Sequence, residues 1–285
     1  MKVLSLFDGM SCGQIALEKS GIKVEEYFAC EIKKHAIEVT QKNYPNTKQL
    51  GDVRNVKAKD LPKIDLLIGG SPCQDFSRAN KERKGVEGEK SSLFFEYVRL
   101  YRELKEINPD IKFLLENVIM SGYNYYFISN ELDCEPVRIC GSLVSGALRD
   151  RLYWTNIPPF SYDITGRIIS NIPQPKDKRI MLQDVLTSGY TNKRKHTCLN
   201  TGSGSPYSRD SLIHRDKTTG MVTVIYDKPS CSYYNELRQV NKIELERLHN
   251  IPENYTDILT LRQAGDVIGD GWTIDVITHI FKGLK

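Results

Sequence analysis

Of the 285 residues in this chain, Cys73 has the strongest potential for chemistry. It lies in the segment GGSPCQDFS (residues 69–77), directly after a short apolar run. Gly69 and Gly70 permit close approach of another group and Pro72 stiffens the turn. A cysteine so placed is a candidate nucleophile. An unperturbed thiol has a pKa of about 8.5, so thiolate at neutral pH requires nearby positive charge or helix N–H groups. Arg149 and Arg151 are candidates for that charge. Carboxylates recur at equivalent places: Asp8 with Gly9 after residues 3–7, Glu31 after 24–30, Asp52 after another short run, and Glu116 with Asn117 closing 112–117. Any one Asp at such a place is more often a helix cap. Cys12, Cys30, Cys134, Cys140, Cys198 and Cys231 read as small core hydrophobes.

These residues have to be positioned by the elements around them. Apolar runs alternate with amphipathic stretches, the pattern of an α/β, doubly wound, mostly parallel seven-stranded sheet. Strands are expected at 3–7, 24–30, just before Asp52, and at 65–70, 112–116, 137–141 and 151–156. Helices are expected at 12–20, closed by Gly21, at 33–43 before Pro45, and at 93–107 before Pro109. This predicts a Rossmann-like domain over 1–157. A small lobe rich in Pro, Gly, Ser, Thr, Tyr and Lys follows over 158–235, and a segment 236–285, helical at 242–249 and 261–281, returns to the first domain. In an open parallel sheet ligands bind beyond the carboxyl ends of the strands, so the thiol and the carboxylates should gather along one edge. The first turn, FDGMSCG, lacks GxGxxG, and a pyrophosphate cradle is therefore not indicated. Glu31 lies about 20 residues beyond Gly9, where an acid in such folds accepts ribose hydroxyls, and Asp52 could accept from an adenine amino group. A nucleoside ligand without phosphates is expected.

Charge alone decides little, since 40 basic residues against 36 acidic give a net charge of +4. Two local clusters, Lys81–Arg83–Lys84 and Lys193 to His196, read either as solvated loops or as nucleic-acid contacts. Seven cysteines with no CxxC pair predict a reduced compartment and no structural metal. No run reaches the length of a membrane span or of a signal-peptide core, so a cytoplasmic protein with no membrane partner is expected.

The blocks SLFDGMSCG (5–13), GGSPCQDFS (69–77), ENV (116–118), RDR (149–151) and IGDGWTI (268–274) resemble, in order and spacing, those of the DNA cytosine-5 methyltransferases. They look most like the animal de novo subgroup and its bacterial or phage relatives. The resemblance implies a class I methyltransferase fold, S-adenosylmethionine as cofactor without metal, and double-stranded DNA as partner, in a bacterial or phage-infected cell. The role it implies for Cys73 is addition to C6 of a flipped cytosine, which activates C5. Glu116 would hold N3 and the amino group, and Arg151, with Arg149 as second choice, the O2 side. Phe7, Asp8, Gly9, Cys12 and Pro72 would line the cofactor, Glu31 its ribose, Asp52 and Val53 its adenine, and Trp272 would close the site. Substrate contacts would come from Ser71, Gln74, Asn117, Lys84, Arg194 and Lys195, with 78–92 as a closing loop and 202–209 reading bases. The terminal block departs from the family, with Asp270 after Gly269 and Asp275 where proline is expected. A cytosine-5 methyltransferase acting on tRNA, and a catalytically inert DNA-binding relative, are the alternatives. The inert form would lack the nucleophile or the acid, and both are present.

Overall fold

The computed structural model describes residues 1–71, 92–120, 122–218, 222–227 and 237–285. Pro72, Cys73, Gln74, Lys84 and Cys231 lie outside the described residues, as does 78–91 of the expected closing loop.

Contacts divide the chain into two units. Unit 1 comprises residues 1–139, 150–174 and 278–285. Its elements in chain order are β1 (Lys2–Leu6), α1 (Cys12–Lys19), β2 (Glu26–Cys30), α2 (Lys34–Asn43), β3 (Lys48–Gln49), β4 (Leu66–Gly70), α3 (Ser92–Ile107), β5 (Lys112–Val118), α4 (Tyr123–Leu132), β6 (Cys134–Glu135), β7 (Val137–Cys140), β8 (Asp150–Thr155), β9 (Phe160–Tyr162) and β10 (Ile168–Ser170). Seven of the strands form the expected sheet, in the order β3-β2-β1-β4-β5-β8-β7. Pairing is parallel from β3 through β5, whereas β8 runs antiparallel to β5.

The central strands are apolar throughout because both faces are covered. Leu4, Leu6, Leu67, Phe113 and Leu115 are fully buried in one cluster with Tyr97, Val98, Leu100, Tyr101 and Leu104 of α3. From β1 the order runs through β2 to β3 on one side and through β4 to β5 on the other. The carboxyl ends of β1 and β4 therefore flank the switch point at which such sheets bind ligands.

α1 lies against the sheet at Gly13. A Cβ there would stand 2.4 Å from Ile68 Cδ1 and 2.7 Å from the Tyr27 hydroxyl. Both neighbours are themselves buried, so neither can move aside freely. Gly13→Ala is expected to destabilise unit 1 by about 1–3 kcal/mol through overpacking, read as a lower urea midpoint at unchanged slope. An unchanged midpoint would show that α1 shifts without penalty.

Three features of unit 1 were not foreseen. α4 has the sequence YNYYFISNEL, rich in aromatic residues and Asn and poor in strong helix formers. β6, β9 and β10 make a second sheet from strands of two or three residues, too short for an alternating pattern to register. Residues 158–174, placed by the sequence with the small lobe, contribute β9 and β10 to unit 1.

Unit 2 comprises residues 140–149 and 175–277. It holds α5 (Leu182–Val185), α6 (Arg209–Thr218), β11 (Ile225–Tyr226), β12 (Leu237–Arg238), α7 (Lys242–Leu248), α8 (Leu261–Asp270) and the first turn of α9 (Ile274–Phe281), which carries the chain back into unit 1. Two buried carboxylates on α7 organise it. Glu244 accepts from Arg238 at 2.8 Å and from the Thr187 N–H at 2.8 Å, and Glu246 accepts from the N–H groups of Asn254 and Thr256 at 2.7 and 2.8 Å. The continuous helix expected over 261–281 is instead two helices, broken at 271–273. Asp275, at the start of the second, pairs with Lys178 at 2.5 Å, so its carboxylate is held within unit 2.

Candidate active site

The parallel strands of unit 1 deliver Asp8, Glu31, Asp52, Ser71 and Glu116 to the same edge of the sheet. Register fixes the spacing: Leu6 lies opposite Cys30 on β2 and Gly69 on β4, and Gly70 lies opposite Glu116 on β5.

After β1 the chain turns sharply, with φ of +57° at Phe7 and +58° at Gly9. A Cβ at Gly9 would meet nothing within 4 Å, so it is the positive φ that favours glycine here. The Gly9 N–H donates to Glu31 Oε2 at 2.8 Å, while Glu31 Oε1 accepts from the N–H groups of Ile32 and Lys33 at 2.8 and 2.9 Å. Glu31 thus ties the first two strand ends together. Ile32 beside it is 71% exposed, a large apolar side chain left open at a polar edge. Sequence reasoning passed it over because one isoleucine between charged residues carries no pattern. Cys12 and Val53 are buried.

Asp8 is buried, accepting from the Tyr27 hydroxyl at 2.7 Å and from the Ser11 hydroxyl. Burial pushes its pKa up to about 6, against the hydrogen bonds from Ser11, Ser5 and Tyr27, which pull it down. The unfolded value is near 3.9. Stability from this group is therefore fully present below about pH 4 and lost as pH rises through about 6, a change of roughly 3 kcal/mol. In Asp8→Asn, urea unfolding between pH 4 and 7 is expected to lose that dependence. An identical pH profile in the variant would assign the titration elsewhere. Cys30 is the opposite of a reactive thiol: burial and then the charges of Asp8, Asp52 and Glu31 push its pKa up to about 12.

Asp52 caps the turn at Val53–Asn55, its side chain accepting from the Arg54 N–H at 3.0 Å and from the Arg54 guanidinium at 2.5–3.0 Å. That contact holds its carboxyl below the ordinary range.

At the β4–β5 ends, Asn117 Nδ2 donates to Ser71 Oγ at 3.0 Å and Asn117 Oδ1 accepts from the Val118 N–H at 2.8 Å. Both groups of this buried amide are used within the protein, so Asn117 anchors the exit of β4. Glu116 is 7% exposed. Arg151 on β8 lies opposite Val118, two residues beyond Glu116 on the same face. Its Nε stands 2.8 Å from Glu116 Oε1. The pair is ionic and lacks hydrogen-bond alignment, so Oε1 has no aligned donor among the described residues.

Residues 1–121 match the family model described as C-5 cytosine-specific DNA methylase. An orphan methyltransferase, M.SPRI of Bacillus phage SPR, is 41% identical over 120 residues, which cover 41% of this chain and 26% of the relative. The match thus spans about a quarter of that protein. The type II methyltransferase M1.ScrFI of Lactococcus lactis is 27% identical over 98% of this chain and 76% of its own length. Among solved structures, the Entamoeba histolytica methyltransferase EhMeth covers 100% of this chain at a TM-score of 0.71 and 16% identity, with 99% of its own chain covered. That likeness confirms the doubly wound α/β fold.

The remaining family-type positions are in unit 2. Trp272 is buried between α8 and α9. Arg149 is buried, bonded to carbonyls of unit 2. Lys195 is a staple: its ammonium donates to the carbonyls of Ser142, Ser145 and Ile180 at 2.7, 2.8 and 2.5 Å. Three bonds use all three donors, which leaves none for phosphate, and its pKa is lowered by burial. Arg194 beside it is exposed. Cys198, expected in a core, is exposed on a loop. Among the described residues no group of His, Cys, Asp and Glu could hold a metal, and no helix is long and apolar enough to cross a membrane.

Proposed function

We propose that this chain is a DNA cytosine-5 methyltransferase that uses S-adenosylmethionine and acts on a flipped cytosine through a covalent Cys73 adduct. The observation that carries this reading is the pairing of β4 with β5. Glu116 lies beside Gly70, three residues before Cys73, with Arg151 2.8 Å from its carboxylate and Asn117 bonded to Ser71. A carboxylate, a guanidinium and the segment leading to a thiol thus converge at neighbouring strand ends.

The donor set at the β1–β3 ends suits the cofactor. Glu31 offers a carboxylate to ribose hydroxyls, Asp52 an acceptor to the adenine amino group, and Phe7 and the exposed Ile32 offer apolar surface to a purine. Asp8 holds the turn on which Phe7, Gly9 and Cys12 are carried. When bound, S-adenosylmethionine supplies an electrophilic methyl group for C5.

Cytosine C5 is too weak a nucleophile to accept it unaided. The Cys73 thiolate adds to C6 and sends electron density to C5, while Glu116 holds N3 and the amino group and Arg151 meets the O2 side. After transfer a base or water removes the C5 proton, the C6–sulfur bond breaks and Cys73 regains its electron pair. Because the ring atoms are inaccessible in a stacked duplex, the base enters the pocket unstacked. Target choice falls to unit 2, with the exposed Arg194 and the loop 202–209 on DNA, and Gln74 and Lys84 contributing from the segment after Cys73.

Parallel transfer assays with labelled cofactor on duplex DNA and on tRNA test the reading. Label in DNA, at cytosines mapped by bisulfite sequencing, is the expected result. Label in tRNA alone would overturn the substrate, and label in neither would overturn the activity.

A further inference from the structure

We propose that Arg149 is a positioning residue, clamping the loop 199–205 onto α8 and so setting which DNA the protein accepts. The proposal rests on the DNA methyltransferase reading above and changes the role of one residue in it. Arg149 and Arg151 are two positions apart in RDR, and sequence alone makes them interchangeable partners for a pyrimidine. Their surroundings differ completely. Arg151 meets Glu116 in unit 1, whereas Arg149 is 4% exposed in unit 2.

The Arg149 Nη1 donates to Gly269 O at 3.2 Å and to Leu199 O at 3.4 Å, with Cys198 Sγ at 3.9 Å. Gly269 is in the last turn of α8, where carbonyls lack helical partners and the dipole favours a cation. One guanidinium therefore caps α8 and holds the base of the loop. Arg149 is itself fixed from behind, its carbonyl accepting from the Gly141 N–H at 2.7 Å.

The loop fits α8 backbone to backbone. A Cβ on Gly269 would lie 2.2 Å from Asn200 C, one on Gly265 2.2 Å from Gly204 N, and one on Gly204 2.0 Å from Leu261 O. Within the loop the Asn200 N–H donates to Ser203 Oγ at 2.9 Å and the Ser203 N–H to Asn200 O at 2.9 Å. Asn200 and Thr201 remain exposed. The result is a rigid loop, leading straight into the proposed base-reading segment, whose place depends on glycines on α8 and one buried arginine. Ordering a recognition loop before DNA arrives lowers the entropy lost on binding.

The test uses the full chain with Arg149→Met, Arg149→Lys and Gly265→Ala. Hydrogen exchange at Gly202, Ser203 and Ser205 is expected to accelerate at least about tenfold in Arg149→Met and Gly265→Ala, with α7 amides unchanged. On duplex DNA the KM for DNA is expected to rise about tenfold, with cofactor affinity within about twofold, and Arg149→Lys should recover part of the loss. Should Arg149→Met fail to fold, Gly265→Ala probes the same contact from the helix side. Unaltered exchange in the loop would overturn the clamp. A fall in kcat at constant KM would also overturn the proposal, by placing Arg149 in the chemical step. If the unmutated chain methylates no DNA, the functional reading falls, and exchange still decides the clamp.

Discussion

Cys73→Ser is expected to lower methyl transfer at least about a thousand-fold while cofactor affinity stays within several-fold. Serine matches cysteine in size, but its hydroxyl ionises far less readily and adds poorly to C6. Cys30 at the same edge cannot substitute, since burial and neighbouring carboxylates push its pKa up to about 12. Single-turnover transfer from labelled cofactor, with cofactor binding measured in parallel, reads both quantities. Transfer retained in the variant would remove Cys73 from the mechanism.

The second large effect is expected at the Glu116–Arg151 pair. Glu116→Gln keeps the shape of the side chain and can still accept from the amino group, but it cannot pass a proton to N3 as addition at C6 builds negative charge there, and it loses the ion pair with Arg151. Removing one such stabilising group lowers kcat by about a hundred- to a thousand-fold. The side chains are only 9% and 13% exposed, so stranding either charge also costs roughly 3 kcal/mol of stability. Glu116→Gln and Arg151→Met are expected to be strongly non-additive, the double variant falling little below the worse single one. Additive losses in kcat would show that the two side chains act on separate steps.

The strand ends were legible because a sheet covered on both faces demands uninterrupted apolar runs. The first polar residue after each run therefore marks the ligand edge, as Asp8, Glu31 and Ser71 do. Direction was not legible. The run ending at Thr155 reads like any other strand, yet β8 is antiparallel to β5, and that reversal brings Arg151 to Glu116. α6 escaped notice because Arg209–Thr218 is polar nearly all round, with no stripe for a 3.6-residue period to expose. The break between α8 and α9 hides behind a sustained apolar pattern that only Gly271 interrupts. Lys195 and Arg149 show a further limit. In sequence both are basic residues beside candidate chemistry, and only their carbonyl partners reveal them as internal braces.

The most direct measurement is a trapping experiment with duplex DNA carrying 5-fluorocytosine, in which fluorine blocks loss of the C5 substituent and the final release of the enzyme. The account predicts a cofactor-dependent covalent complex that survives denaturation, with peptide mapping placing the pyrimidine on Cys73. Methylation of ordinary cytosine by a chain that forms no such complex, or an adduct on any other residue, would contradict it.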